Sequence, residues 1–402
     1  MSKSLAAIIG GAAGFVAFVL IVLGCFWFFF LHRKSSANRN SETGSSDPSA
    51  QEWNKGTMRQ FTLEELGQAT KHFSESNLIG EGRFGLVFKG LLRDGTVVAI
   101  KRRSSAARPE FVEEVHYLSE IRHRNLVSLL GYCQEYDQQM LVYEYLPNGS
   151  VSSHLYDTGL DPTTKLEFKY RLFIALGAAK GDVCVQPEIF FFTRKSQYKS
   201  QESYVLETHR VFHLHGMAPP LVHKDFKTSN VLVDENFIAK VADVGLSRLL
   251  ERIDEASSSR VTRGDVFLDP EVGDAGSFSE SSDVYSFGVF LLELVTGRQA
   301  GSLKLSESVR SLYEWVESCV ESNEYGSIVD PRLGPGYTKE GMGNLFRLIL
   351  RCLSLNGGRR PAMEQVSTEL DRILEEEMTL TTVMGEGTAT VTLGSQLFTS
   401  ST

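Results

Sequence analysis

The apolar and polar positions along the chain divide it into four segments. Residues 4–31 contain no charged side chain, and this run exceeds the roughly 20 apolar residues that cross a bilayer as a helix. Residues 32–60 are mostly polar, which is typical of a flexible linker. Residues 61–375 carry the periodic apolar positions of a folded domain, and the Thr- and Gly-rich residues 376–402 are predicted to be disordered.

The apolar run predicts a transmembrane helix over residues 5–31, behind a short extracytosolic stretch, residues 1–4. The alternative is a cleaved signal peptide, whose apolar core would be only about 7–15 residues long. A basic cluster at residues 32–39 follows the run, whereas only Lys3 precedes it. This asymmetry predicts that everything after the helix lies in the cytosol and that the lipid bilayer is a partner.

Small residues recur at every fourth position of the same run, at Ala6, Gly10 and Gly14. Such a row lets two membrane helices approach closely, which would allow a homodimer or heterodimer through this helix. Small residues are also common in membrane helices that do not associate, so both interpretations stay open.

Two kinds of periodicity follow each other within residues 61–375. The β-rich runs "LIGEGRFGLVFKG" and "GTVVAIKR" flank the hairpin signal Asp94-Gly95, and a helical pattern, "RPEFVEEVHYLSEIR", comes next. Beyond "LVYEYLPNGS" the pattern is mostly helical, as in "SDVYSFGVFLLELVTG" and "NLFRLILRCLSL". The sequence therefore predicts an α+β fold, with a small β-rich lobe followed by a large helical lobe.

Composition argues against several classes of protein. The formal net charge is −9 and no long run of Lys or Arg is present, so we expect no nucleic-acid partner. The five cysteines are scattered and never form a C-x-x-C pair, which disfavours a disulfide or zinc scaffold. The apolar content of 42% suffices for a large core.

A glycine cluster, "GEGRFG", contains Gly80, Gly82 and Gly85. It lies between two predicted strands rather than before a helix, which disfavours a dinucleotide fold and suits a hairpin that covers phosphates. Taken alone the cluster is weak evidence, since glycines often mark only tight turns. It is followed in order by "VAIK" with Lys101, by Glu114, and by "HKDFKTSN", "DVG" and "DPE", and this order carries the signal.

With these motifs the chain resembles the eukaryotic protein kinases, and within them the plant receptor-like serine/threonine kinases. The closer likeness is in "FTLEELGQATKHFSESNLIGEGRFGLVFKG", "HRNLVSLLGYC" and "MLVYEYLPNGS", and it covers roughly residues 61–375. The resemblance implies a bilobal protein kinase fold, ATP with Mg²⁺ or Mn²⁺, protein substrates and a plasma-membrane location. Nothing in the chain resembles an extracellular ligand-binding domain, so a ligand-binding co-receptor is an expected partner.

The resemblance also implies the roles of the catalytic residues. Lys101 is expected to hold the ATP phosphates while it pairs with Glu114, and Asp225 is expected to accept the hydrogen bond of the substrate hydroxyl. Lys227 resembles the lysine that serine/threonine kinases place near the transferred phosphate. The expected metal ligands are Asn230 and Asp243, because their oxygens suit Mg²⁺.

The nucleotide is expected to bind between the glycine-rich hairpin and the segment that joins the two lobes. Backbone groups of residues 144–146 are assigned to the adenine, and Tyr143 to the pocket behind it. The apolar members of the set could equally be plain core. The expected nucleotide-binding residues are Gly80, Glu81, Gly82, Gly85, Val87, Ala99, Lys101, Glu144, Leu146 and Leu232.

Two further expectations concern support of the site. Asp283, on an otherwise apolar helix, is expected to anchor the backbone of the catalytic loop, since a buried carboxylate must be hydrogen-bonded. Glu271 and Arg360 are expected to form a buried ion pair.

Departures from the family pattern put catalysis in question. Lys224 stands where the family has Arg, Val244 stands where it has Phe, and Gly264 and Val266 stand where it has Thr and Gly. These changes motivate an alternative function, a nucleotide-binding pseudokinase scaffold or an adaptor in a receptor complex.

Residues 182–210 interrupt what would otherwise be one continuous amphipathic helix. Their aromatic-rich, unpatterned composition leaves two interpretations, a translated intron or a genuine insertion in the large lobe.

Overall fold

The computed structural model describes residues 58–156, 166–183, 221–253, 265–275, 277–303, 311–323, 325–334 and 336–384. The predicted anchor at residues 5–31 and most of the predicted linker lie outside these residues. Within the part of the chain that is described, no helix is both long and apolar enough to cross a membrane. The membrane anchor therefore stays a prediction.

The small lobe is built on one six-stranded sheet with strand order β1-β5-β6-β4-β3-β2. Neighbouring strands are antiparallel except for the parallel pair β1 and β5. The strands are β1 (Arg59–Gln60), β2 (Leu78–Glu81), β3 (Gly85–Leu91), β4 (Val97–Arg103), β5 (Leu129–Glu135) and β6 (Gln138–Glu144), and the helices of this lobe are α1 (Leu63–Ala69) and α2 (Phe111–Ser119).

The register of the sheet separates its two faces. Lys101 on β4 lies opposite Val87 on β3 and Leu141 on β6, so these side chains share the face that carries the predicted nucleotide residues. The other face carries Ile100, which is fully buried in a cluster with Phe61. Because side chains alternate between the two faces of the sheet, one face packs on the core around Phe61 and the other carries the predicted nucleotide-binding residues.

The structure corrects the predicted boundary of the linker at residue 60. Strand β1 pairs Arg59 with Gly131, and the N–H of Phe61 donates to the carbonyl of Tyr132 at 2.8 Å. A side chain at Gly131 would collide with the Arg59 backbone and the Phe61 ring, so the glycine permits this close approach. The last residues of the predicted linker are therefore an edge strand of the sheet.

The large lobe is mainly helical, as predicted. Its core lies among four long helices that pack on one another, α4, α7, α9 and α10. The elements are α3 (Val151–Tyr156), α4 (Phe168–Val183), β7 (Val231–Val233), β8 (Ala239–Val241), α5 (Leu246–Ile253), α6 (Pro270–Ala275), α7 (Glu280–Thr296), α8 (Leu312–Ser322), α9 (Lys339–Cys352) and α10 (Met363–Met384).

Two predicted boundaries differ in the large lobe. Helix α10 continues to Met384, so the first residues of the predicted tail are helical. Helix α4 continues through Asp182 and Val183, the first two residues of the predicted insert 182–210, whose remainder lies outside the described residues.

Asp182 is buried, and neither of its carboxylate oxygens has a hydrogen-bond partner. Burial, together with the nearby carboxylates of Asp283 and Glu280, raises the pKa of Asp182 well above its ordinary value. The last turn of α4 therefore contains a buried carboxyl group that has no hydrogen-bond partner.

Candidate active site

The glycine-rich segment forms a tight hairpin between β2 and β3. Gly82 and Gly85 exchange two backbone hydrogen bonds, of 2.9 and 3.1 Å, and Arg83 and Phe84 occupy the tip. Phe84 is buried and stacks on Phe111 of α2, with ring centroids 6.3 Å apart. The tip of the hairpin is therefore pinned to helix α2.

The other predicted nucleotide-binding residues lie on the six-stranded sheet, on the segment that follows it and, for Leu232, on β7 of the large lobe. Ala99 lies two residues from Lys101 and so on the same face of β4, opposite Tyr143 of β6. Burial raises the pKa of the Tyr143 phenol, which keeps it neutral. Gly80 and Glu81 belong to β2, Val87 to β3 and Leu232 to β7, and Leu146 is buried just after β6.

The side chain of Glu144 is engaged away from any nucleotide. It accepts hydrogen bonds from the Lys240 ammonium at 2.8 Å and from the Ser128 N–H at 2.7 Å. The backbone N–H of Glu144 donates to the carbonyl of Ser128 at 3.0 Å, and the adenine role of this residue stays a prediction.

The sequence interpretation missed Ile79, which lies on β2 directly before Gly80. Its side chain is 47% exposed although it is large and apolar. An apolar side chain left open beside the glycine hairpin fits an aromatic ring better than water. The signal was available in the sequence as the "LIGEG" run.

Two of the predicted catalytic residues and one predicted metal ligand come together in the loop before β7. The ammonium of Lys227 donates to Oδ1 of Asp225 at 3.0 Å, and Nδ2 of Asn230 donates to the backbone carbonyl of Asp225 at 2.8 Å. The carbonyl of Asn230 in turn accepts from the Ala242 N–H at 2.7 Å. Asp243 follows Ala242, so this bond ties the predicted metal ligands to one another.

Lys101 and Asp243 form an ion pair across the two lobes. Both side chains are mostly buried, with exposures of 16% and 15%. The lysine predicted to bind phosphate therefore rests on the carboxylate predicted to bind metal.

The predicted pair between Lys101 and Glu114 is wrong for this conformation. Glu114 instead accepts from Nε of Arg252 at 2.8 Å and from Nε of Arg248 at 3.2 Å, both on α5. Its side chain is only 6% exposed. The two arginines provide the hydrogen bonds and the positive charge that a buried carboxylate needs, in place of Lys101. Helix α2 is thereby held by α5 rather than by the nucleotide site.

Helix α5 follows the "DVG" motif and is fixed at several further points. Ser247 accepts from Arg83 of the hairpin at 3.1 Å and donates to the carbonyl of His223 at 3.0 Å. The ammonium of Lys224, which stands where the family has Arg, contacts both oxygens of Glu251 at 2.8 Å. Helix α5 therefore bridges the glycine hairpin, α2 and the catalytic loop.

Apolar contacts hold α5 and the substituted "DVG" motif in the same place. The apolar face of α5 is buried in one cluster with Phe84 and Phe111. Val244 packs against Leu221, as Tyr117 and Ile121 also do. The spacing of "LSRLLERI" encodes this helix, whereas its partner Glu114 is 134 residues from Arg248 and could not be inferred from pattern.

Asp283 of α7 anchors the catalytic loop, in agreement with the sequence expectation. Its carboxylate accepts from the N–H of His223 at 2.6 Å and of Lys224 at 3.0 Å. Burial raises the pKa of Asp283, while the His223 and Lys224 contacts act to lower it.

The expected pair between Glu271 and Arg360 is wrong, because Asp269 takes the arginine. Both terminal nitrogens of Arg360 contact Asp269, at 2.6 and 2.7 Å, and these side chains are 0% and 1% exposed. Glu271 accepts instead from the Gly357 N–H at 3.0 Å. The bidentate guanidinium has selected the more deeply buried of two neighbouring acids.

The residues present fit a divalent cation of the magnesium type. Asp243 offers a carboxylate, and because Nδ2 of Asn230 is committed to Asp225, its amide oxygen is left as a second hard ligand. Lys101 adds a positive charge beside this oxygen pair, which suits a polyphosphate as a neighbour.

Comparison with known proteins agrees with these features. A family model described as protein tyrosine and serine/threonine kinase matches residues 73–370. Among solved structures, the pseudokinase domain of BIR2, described as an immune regulator of the RLK/Pelle family, superposes with a TM-score of 0.59 at 30% identity. That match covers 78% of this chain and 86% of the BIR2 chain.

Curated relatives from Arabidopsis thaliana are receptor-like kinases. Receptor-like protein kinase THESEUS 1 is 36% identical over 356 residues, 87% of this chain and 38% of that protein. Proline-rich receptor-like protein kinase PERK2 is 38% identical over 318 residues, 77% of this chain and 40% of that protein. The chain thus spans about two fifths of the length of these relatives. It belongs to the protein tyrosine and serine/threonine kinase family, among the plant receptor-like kinases.

Proposed function

We propose that the chain is a membrane-anchored receptor-like serine/threonine kinase that transfers the γ-phosphoryl group of Mg·ATP to Ser and Thr hydroxyls of proteins. The observation that carries this proposal is the catalytic loop, in which Asp225, Lys227 and Asn230 are linked by hydrogen bonds beside Asp243.

The contacts of each side chain support one role in this proposal. Asp225 accepts the hydrogen bond of the acceptor hydroxyl, and Lys227, already bonded to Asp225, neutralises charge on the group in transfer. Bound Mg²⁺ supplies positive charge to the phosphates, and Asn230 and Asp243 are the residues that would hold it. Lys101 binds phosphate once Asp243 is engaged elsewhere.

The present arrangement is an inactive one on this proposal. Phosphoryl transfer needs Glu114 to orient Lys101. In this structure Glu114 is instead paired with Arg248 and Arg252 of α5, and Lys101 is paired with Asp243. Activation therefore requires α5 to release Glu114.

The location and partners belong to the same proposal. The apolar residues 5–31 support a single-pass anchor in the plasma membrane with the kinase domain in the cytosol. A ligand-binding co-receptor would supply the external signal, and the small residues of the anchor would permit a dimer through that helix.

The test is phosphate incorporation from labelled Mg·ATP by the full chain purified in detergent, with a mixed protein acceptor. Label on Ser and Thr that disappears in Asp225→Asn is the expected result. A parallel form lacking residues 182–210 tells whether that segment suppresses transfer. Label that persists in Asp225→Asn would contradict the proposal.

A second function, a nucleotide-binding scaffold, is favoured by two specific observations. Val244 stands where the family has Phe, and the chain is similar to the BIR2 pseudokinase domain. On this alternative, Mg·ATP raises the melting temperature of the chain while no form of it transfers phosphate.

A further inference from the structure

Helix α7 contacts the catalytic loop with a second carboxylate, ten residues after Asp283. Glu293 is 3% exposed and accepts hydrogen bonds from the hydroxyls of Thr228 and Tyr156 and from the N–H of Ala300, the last at 2.8 Å. Burial raises the pKa of Glu293, and its three donors act in the opposite direction.

Thr228 connects Glu293 to the candidate active site. It is buried and opens a short 3-10 turn, Thr228–Asn230, that follows directly on Lys227. The N–H of Asn230 donates to the carbonyl of Lys227 at 2.9 Å across the same turn. A shift of Thr228 therefore moves Lys227 and the amide of Asn230 together.

The loop is thus held at both ends from one helix. Asp283 binds the backbone just before Asp225, and Glu293 binds the side chain just after Lys227. Ten residues of α-helix separate the two carboxylates by about 15 Å. Between them Phe226 packs on Phe287 of α7, with ring centroids 5.4 Å apart.

We propose that Glu293 is a positioning residue for phosphoryl transfer, which fixes the Thr228 turn and thereby the metal-binding amide of Asn230. The inference rests on the proposed kinase function. On this inference, binding of the divalent cation depends on Glu293, whereas binding of the adenine and of the protein acceptor does not.

The chemistry of the three donors supports this role. A carboxylate can accept from both hydroxyls and the backbone N–H at once, whereas the amide of a glutamine must turn its own donors toward one of them. Loss of the negative charge therefore leaves at least one buried donor without an acceptor. The Thr228 hydroxyl is the contact that transmits this loss to the site.

The experiment measures the Mg²⁺ concentration that half-saturates binding of a fluorescent ATP analogue to the full chain, alongside the rate of phosphate transfer. Thr228→Val, which keeps the shape and removes the hydroxyl, and Glu293→Gln should both raise that concentration about tenfold, the size typical of coupling between two sites. Thr228→Ser should restore the value of the unaltered chain.

Thr296→Val is the matched control, because it removes a buried hydroxyl from the same helix, one that donates to the carbonyl of Leu292 at 2.9 Å and not to Glu293. It should lower the melting temperature while the Mg²⁺ dependence stays unchanged. Equal Mg²⁺ dependence in all variants, or the same shift in Thr296→Val as in Thr228→Val, would overturn the assignment. Since the binding measurement needs no transfer, it separates this failure from the absence of kinase activity.

Discussion

Nε of Arg252 donates to Oε1 of Glu114 at 2.8 Å, and this contact replaces the pair with Lys101 that phosphoryl transfer requires. Arg248 reinforces it and also lies 3.8 Å from the centroid of the Tyr117 ring. Helix α5 thus competes with the nucleotide site for a single buried carboxylate.

On the proposed kinase function, removing both arginines should raise the rate of phosphate transfer. The double variant Arg248→Met, Arg252→Met keeps apolar stems on α5 but leaves Glu114 free to pair with Lys101. We expect kcat/KM for phosphate transfer to rise on the order of tenfold, a coupling of ordinary size. Steady-state kinetics at fixed Mg²⁺ measure the change.

Arg372→Met is the matched control for that experiment. This arginine pairs with Glu369 and Glu376 on the exposed side of α10 in the large lobe, so its loss should leave the rate unchanged. A double variant on α5 that stays folded and is slower than the unaltered chain would show that α5 does not inhibit.

The two neighbouring acids near Arg360 should differ sharply in their contribution to stability. Asp269→Asn leaves the buried guanidinium without its partner and should lower the free energy of unfolding by about 3–5 kcal/mol. Glu271→Gln keeps an oxygen that can accept from the Gly357 N–H and loses only the charge on that bond, so it should cost no more than about 1 kcal/mol. Urea titration measures both losses. A larger loss in Glu271→Gln than in Asp269→Asn would support the pairing of Glu271 with Arg360 that the sequence predicted.

Asp182 should be a destabilising residue whose effect depends on pH. Its raised pKa means that the folded state binds a proton more tightly than the unfolded state does. The contribution of Asp182 to stability is therefore most favourable at low pH and falls as the pH rises above the ordinary carboxyl pKa of about 4. Asp182→Asn removes this titration, so the variant should gain melting temperature at pH 7.5 and little at pH 4.5.

A further variant separates charge from polarity at that position. Asp182→Leu should be more stable than Asp182→Asn by about 1–3 kcal/mol, because no buried polar group remains without a partner. Lys180→Leu, at an exposed position of the same helix, controls for helix propensity. A stability gain at Lys180 equal to that at Asp182 would contradict the interpretation.

Local motifs predicted the parts of the site that are close in sequence. Asp225, Lys227 and Asn230 lie within six residues, so the turn that holds them together is set by neighbouring residues. The two-lobed α+β fold followed equally from apolar periodicity, since the strands and the long helices have different repeats.

Long-range choices could not be predicted in the same way. Glu114 has more than one basic partner within reach, and which one it takes depends on where α5 packs. Asp269 and Glu271 are two residues apart, and only their depth decides which acid meets Arg360. Strand β1 is two residues long, which is too short to show the alternation of apolar and polar residues typical of a strand. It can pair with β5 only because Gly131 has no side chain.

The most direct measurement is phosphoamino acid analysis of label transferred from Mg·ATP by the Arg248→Met, Arg252→Met chain, beside the same chain carrying Asp225→Asn. Phosphoserine and phosphothreonine in the first sample and none in the second are the predicted result. Equal label in both would show that Asp225 is not the catalytic carboxylate. No label in either, with nucleotide bound, would make the chain a scaffold rather than a kinase.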